Sequence, residues 1–345
     1  MLGNKHVSVL VSEAEELKNY ANNLNEQSNF YIICNIIQTC VNNFPSCISD
    51  ALSFVPSLIK FAFSYQIVSM FEDLLDPIND LTFVYNFFNE ANLFDSIVNL
   101  YNKSDLDCKQ GLLRIIKCML INQITNQKIS QLQLHEIIED AINSESTTNK
   151  NLGWSIAFID IRYFGSSVID QAKLFEDSAS AICQNETTGF LEYQVNALQC
   201  MNTIMVSVLD SIADFDFKNV IRKLLDVYMK CPGHSIAYQA IFDFVINLSN
   251  NSKYRSLIFN SFVPDVMETA KTSKNTTQIS FANDFFMKLS LQVFNDETYR
   301  NDIPSDIYQY LSSFKVDTNS FSAFFHPSIA DFPDDIMEEV LFAGL

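Results

Sequence analysis

Two short stretches carry residue types that could do chemistry. Cys231-Pro232-Gly233-His234 sets a thiol three residues from an imidazole at a predicted helix start. A helix N-terminus and a neighbouring imidazole both lower a thiol pKa, so a nucleophile is conceivable there. With no oxyanion-stabilising element beside it, the stretch suits a structural turn better. His135-Glu136-Ile137-Ile138-Glu139 has the outline of a zinc-protease helix. That motif needs imidazoles at both i and i+4 to hold the metal, and Glu139 occupies the second place. A surface helix turn is the better reading.

The remaining chemistry is excluded on spacing. The closest glycines, Gly153 and Gly165, are twelve residues apart (165 − 153), so neither a GxGxxG nor a Walker-type phosphate loop exists. The eight cysteines include no CxxC pair, which removes thioredoxin-like and zinc-ribbon chemistry. They lie mostly in apolar stretches and are expected to be reduced, buried thiols. One acidic cluster, Glu72, Asp73, Asp76 and Asp80, surrounds Pro77; another, Asp331, Asp334, Asp335, Glu338 and Glu339, lines the C-terminal segment. Neither has calcium-loop spacing, and both are expected to be solvated faces. The C-terminal segment also carries Ile336, Met337, Val340, Leu341 and Phe342, so it suits either a cap over the last repeat or a docking peptide. No cofactor and no metal are expected.

The elements that position these residues follow from composition. The chain has 345 residues, 41 Asp+Glu against 22 Lys+Arg and a net charge of −19, which repels phosphate backbones and anionic lipids. No nucleic acid is expected as a partner. No apolar run approaches the ~18 residues that span a bilayer, so no membrane insertion is expected either. The apolar stretch from Val7 to Val11 is too short for a signal-peptide core, which points to a cytoplasmic or nuclear protein. Only seven glycines and eight prolines are present, few for a turn-rich β architecture. Apolar residues recur at i, i+3, i+4 almost throughout, as in Leu112/Leu113/Ile116/Met119/Leu120 and Phe281/Phe285/Phe286/Leu289. The thirty phenylalanines interleave with this pattern, as core residues do. Short polar breaks divide the chain into roughly sixteen predicted helices, with no predicted strand.

One local pattern repeats. Ser53-Phe54-Val55-Pro56-Ser57-Leu58-Ile59-Lys60 returns as Ser261-Phe262-Val263-Pro264-Asp265-Val266-Met267-Glu268. Proline there suits the first turn of a helix, where its missing N–H has no intrahelical partner to lose. Looser copies are anchored at Asp95, His135 and Lys218, with a degenerate one near Ile169–Leu174. The spacings are 39 (95 − 56), 40 (135 − 95) and 46 (264 − 218), and 83 (218 − 135) spans two periods. A period of ~40–47 residues with two or three helices is the armadillo/HEAT signature, so an all-α solenoid of that type is expected. No repeat of this kind buries its apolar face alone; stacking does it.

The positions two and three after each anchor are apolar and should face the core. Those one and four after it share the opposite helix face: Ser57/Lys60, Ser96/Asn99, Glu136/Glu139, Asn219/Arg222 and Asp265/Glu268. Either this face is merely solvated, or it forms a ladder that contacts a protein partner.

The order of segments resembles the SAPS-domain family, regulatory subunits of the type-two-A-like protein phosphatase six. The likeness runs from Asn29-Phe30 through Phe44-Pro45-Ser46 and Phe54-Val55-Pro56 to Ile67-Val68-Ser69-Met70-Phe71-Glu72-Asp73-Leu74-Leu75. It continues with Phe87-Phe88-Asn89-Glu90, Leu93-Phe94-Asp95, His135-Glu136-Ile137-Ile138-Glu139 and Pro232. Leu257-Ile258-Phe259, Ala282-Asn283, Ile303-Pro304, Phe314 and Asp317-Thr318-Asn319 follow. At Cys231–Ser235 the chain departs from the family's Tyr-Pro-Trp-Asn-Asn. The expected division is an N-terminal cap at 1–28, a repeat domain at 29–320 and an acidic segment at 321–345.

The resemblance implies a non-catalytic scaffold that binds a phosphatase catalytic subunit, with further scaffold proteins as additional partners and any metal in the phosphatase. If the exposed face is a ladder, Lys60, Asn99, Arg222, Glu136 and Glu139 would contact the catalytic subunit. A second reading is a generic armadillo/HEAT adaptor in transport or cytoskeletal assembly. A third is an enzyme whose site is assembled from distant segments.

Overall fold

The computed structural model describes residues 15–164, 170–185, 189–207, 215–231 and 233–314. The acidic 321–345 segment, residues 1–14 of the expected cap and Pro232 lie outside the described residues, as do Ile169 and Gly165. The chain divides into two compact units, residues 1–174 and 175–345. Among the described residues every regular element is helical and none is a strand.

In the first unit α1 covers residues 15–22. It is followed by α2 (Phe30–Asn43), a 3-10 turn at Val55–Phe61, α3 (Tyr65–Leu75), α4 (Thr82–Glu90) and α5 (Leu93–Tyr101). Then come α6 (Leu106–Ile121), α7 (Gln131–Ile142) and α8 (Thr147–Phe164). Their starts follow from polar caps at the predicted breaks. The Asn29 side chain accepts from the Tyr31 N–H, and Asp105 Oδ1 accepts from the Cys108 N–H at 2.9 Å, each satisfying an N–H that the first helical turn leaves open.

These elements pack as two rows. The first row runs α2, α3, α6, α8; the second runs from the Val55–Phe61 turn to α5 and on to α7. In the first row α3, α6 and α8 start at Tyr65, Leu106 and Thr147, 41 residues apart each time (106 − 65, 147 − 106). Two glycines set how closely the rows approach. A Cβ on Gly111 of α6 would lie 1.9 Å from the Ala62 carbonyl oxygen, just past the Val55–Phe61 turn. One on Gly153 of α8 would lie 2.8 Å from the Ala141 Cβ of α7. Neither position admits a side chain without backbone movement.

In the second unit α9 (Gln171–Cys183) crosses the boundary and leads to α10 (Glu192–Ser207), α11 (Lys218–Lys230) and α12 (Ser235–Ser249). After these lie α13 (Ser252–Leu257), α14 (Val263–Thr272), α15 (Thr276–Asn295) and α16 (Ser305–Ser312). Again there are two rows, α10–α12–α15 and α11–α14. The first row starts at Glu192, Ser235 and Thr276, 43 and 41 residues apart (235 − 192, 276 − 235). Between α13 and α14 one turn, Ile258–Phe262, widens to a π-helix. The widening sits just before Pro264, whose ring would otherwise press on the carbonyl four residues back.

Most of the described phenylalanines are buried, as their spacing predicts, although Phe44, Phe63 and Phe83 are exposed, and in the second unit they pack on one another. Phe242 stacks on Phe285 at 4.6 Å, and Phe217 meets Phe175, Phe215, Phe244 and Tyr254. Arg255 is the buried charge there, 4% exposed. Its guanidinium donates to the Ser249 carbonyl at 3.0 Å, Thr298 Oγ1 at 2.9 Å and Asp302 Oδ2 at 3.2 Å, and lies 3.7 Å over the Tyr299 ring. Such a charge is tolerated because several of its donors are met by oxygen acceptors.

Candidate docking face

The repeat anchors fall on the second row of each unit. Pro56 is the second residue of the Val55–Phe61 turn and Pro264 the second of α14, as expected for the first turn of a helix. Asp95 and Lys218 also lie in first turns, whereas His135 sits five residues into α7, so the anchor register there is shifted along the helix. The apolar positions behave as predicted. Leu58, Ile59, Ile97, Val98, Ile137, Ile138, Val220, Ile221 and Val266 are buried, and Met267 alone among them is half-buried.

The polar positions lie on the opposite face. Ser57, Lys60, Ser96, Asn99, Glu136, Asn219, Arg222, Asp265 and Glu268 are exposed, and Glu139 is half-buried. Adjacent second-row helices do pack side by side: the Val55–Phe61 turn against α5, α5 against α7, and α11 against α14. In the first unit, four of the ten residues come together. Ser57, Lys60, Ser96 and Asn99 line one open groove of about 580 Å³ between the turn and α5. Glu136, Glu139, Asn219, Arg222, Asp265 and Glu268 are not among its lining.

Glu139 is already engaged. Lys173 Nζ pairs with its Oε1 and His135 Nε2 lies 3.4 Å away. The Lys173 hydrogen bond holds its carboxyl below the usual glutamate range. An exposed pair of this kind is easily exchanged for a partner's cation.

Two groove features escape the sequence pattern. Lys103 lines the same groove, beyond the positions one and four after the anchor. Four residues on from Asn99, it extends that helix face, and following the i+4 step past the end of α5 would have found it. The second unit has a groove of about 360 Å³ on its first row instead, lined by Gln199 and Asn202 of α10 and Gln239 and Asp243 of α12. Asn202 accepts there from Asn247 at 3.0 Å. The i+3 and i+4 spacing of these polar residues was the available signal.

The stretches singled out for chemistry take structural roles. His234 Nδ1 accepts from the Ala237 N–H at 3.3 Å as the cap of α12. Its Nε2 therefore carries the proton and donates to the Phe190 carbonyl at 3.0 Å, which occupies both ring nitrogens. Burial pushes the Cys34 and Cys47 thiols up to about 11 and Cys118 up to about 12, so they stay protonated at neutral pH. In the cluster around Pro77, Glu72 is held by Arg114 through two hydrogen bonds of 2.8 and 2.5 Å. Asp73 is pushed above the usual range by burial and by the charges of Glu72 and Asp76. Asp76 caps the turn by accepting from the Ile78 N–H at 3.0 Å.

One buried carboxylate has no such role. Asp160 of α8 is fully buried, and neither of its oxygens has a hydrogen-bond partner; Gln131 Oε1 and His135 Nδ1 on α7 are likewise buried and unpartnered. Burial pushes the Asp160 carboxyl up to about 6, an effect the nearby Gln131 amide offsets only in part. No family model, curated protein or solved structure matches the chain.

Proposed function

We propose that this chain is an α-solenoid of armadillo/HEAT-like repeats that acts as a non-catalytic regulatory subunit, binding a protein serine/threonine phosphatase catalytic subunit and directing it to substrates. The observation that carries the docking role is the second row. In each unit its helices pack side by side, bury their apolar pair and leave their polar pair exposed, with only Met267 and Glu139 half-buried. The helix-pair period of 41–43 residues supports the repeat architecture. The phosphatase itself is supported by the order of segments that resembles the SAPS-domain family. The working compartment in this reading is the cytoplasm or nucleus.

The test is affinity purification of the full chain followed by mass spectrometry. A type-two-A-like phosphatase catalytic subunit should be recovered with the wild type, and the paired reversals Lys60→Glu and Arg222→Glu should reduce it. Recovery of other partners without any phosphatase would favour the generic adaptor instead.

A further inference from the structure

We propose that the groove between the Val55–Phe61 turn and α5 holds an extended acidic peptide segment of a protein partner, with Lys60 and Lys103 receiving its carboxylates. This rests on the reading of the second row as a docking face and narrows that face to one chemistry. Charge is the first argument. The chain carries −19 overall, yet both charged residues lining this groove are cationic. Both are exposed, and neither pairs with a carboxylate among the described residues. Lys60 Nζ rests 4.8 Å over the Phe61 ring, a contact that leaves its donors free for an anion. Glu90 and Asp95 are exposed nearby but do not line the groove.

The neutral groups separate a peptide from a phosphate polymer. Ser57 Oγ donates to the Phe54 carbonyl at 2.7 Å and Ser96 Oγ to the Asn92 carbonyl at 3.2 Å. Each hydroxyl so engaged offers a ligand only its lone pairs. Asn99 adds an amide with both a donor and an acceptor. A peptide brings backbone N–H groups to meet these acceptors as well as side-chain carboxylates for the lysines. A phosphodiester backbone brings anions but no N–H to meet these lone pairs. Ile59 and Leu100 supply apolar surface for an aliphatic side chain between two acidic ones. A volume of about 580 Å³ suits a short segment and not a folded domain.

Fluorescence anisotropy on the full chain tests this with a labelled octapeptide of alternating Glu and Leu. Its controls are the Lys/Leu counterpart and a single-stranded DNA of equal charge. The acidic peptide should bind in preference to both, and more weakly as salt rises. Lys60→Glu or Lys103→Glu should each weaken it roughly fivefold to tenfold. Lys60→Gln and Lys103→Gln, which remove charge without reversing it, should have smaller effects at unchanged helical circular dichroism. Equal binding of the Lys/Leu peptide, equal or tighter binding of the DNA, or indifference to the lysine reversals would overturn the proposal. Lost peptide binding with phosphatase still recovered would sink the groove assignment alone. Peptide binding without phosphatase recovery would sink the subunit reading alone.

Discussion

Among the described residues each unit buries one charged side chain, and the two are treated in opposite ways. In residues 175–345 Arg255 is almost wholly enclosed and donates to the Ser249 carbonyl, Thr298 and Asp302, with Asp296 at 3.6 Å and the Tyr299 ring beneath. In residues 1–174 Asp160 is as deeply buried and receives no hydrogen bond. A buried charge held by several hydrogen bonds ties its surroundings into one arrangement; a buried charge with none costs free energy in whichever arrangement holds it. The same two-row plan therefore carries a staple in one unit and a liability in the other. The liability lies in the α7–α8 hairpin, the same helix pair that presents Glu136 and Glu139.

Removing the staple should have the largest effect. Arg255→Ala leaves the buried Ser249 carbonyl without its donor and opens a void over the Tyr299 ring, and should cost about 2–4 kcal/mol. Hydrogen exchange should show the loss in α12–α15 and not in α3–α8; uniform loss across both units would contradict the assignment. Relieving the liability should act the other way. Asp160 is raised from 3.8 to about 6, so the folded state holds its proton more tightly than the unfolded chain does. Its contribution to stability is full below the ordinary carboxylate range and is lost as pH rises through about 6, a fall of ~3 kcal/mol. Asp160→Asn should therefore be ~1–3 kcal/mol more stable than wild type near pH 8. That advantage should vanish near pH 4, as read from urea midpoints; a pH-independent difference would refute the cause.

A third effect belongs to packing in the first unit alone. Gly111→Ala would force a Cβ against the Ala62 carbonyl and should cost ~1–3 kcal/mol despite the helix preference of alanine, again measured by urea denaturation. The smallest stability change is expected on the exposed second row. Lys60→Glu and Arg222→Glu should each move stability by less than ~0.5 kcal/mol, which makes them suitable probes of binding.

The helical class, the period and the inward and outward positions of the second row were legible because each rests on local spacing. Apolar pairs such as Leu58/Ile59 and Val220/Ile221 recur at fixed steps from their anchors, and burial follows from the helix period. The groove was half legible. Ser57, Lys60, Ser96 and Asn99 followed from the pattern, but Lys103 lies past the end of α5, where the anchor register no longer applies. Glu139 was legible as a site residue and not as one already paired, because Lys173 reaches it from α9. Asp160 left a signal that acidic composition hid. It lies four residues after Ile156 and three after Ala157, on an apolar stripe, where a carboxylate is costly. The division at residue 174 falls inside α9 and has no marker in composition.

The proposed docking of a phosphatase catalytic subunit rests on the exposed second-row residues of each unit. Quantitative affinity purification of the wild type beside the Lys60→Glu/Arg222→Glu variant tests it most directly. A type-two-A-like catalytic subunit is expected with the wild type and a severalfold loss with the variant, at equal expression and equal helical content. Equal recovery from both chains, or no phosphatase from either, would contradict it.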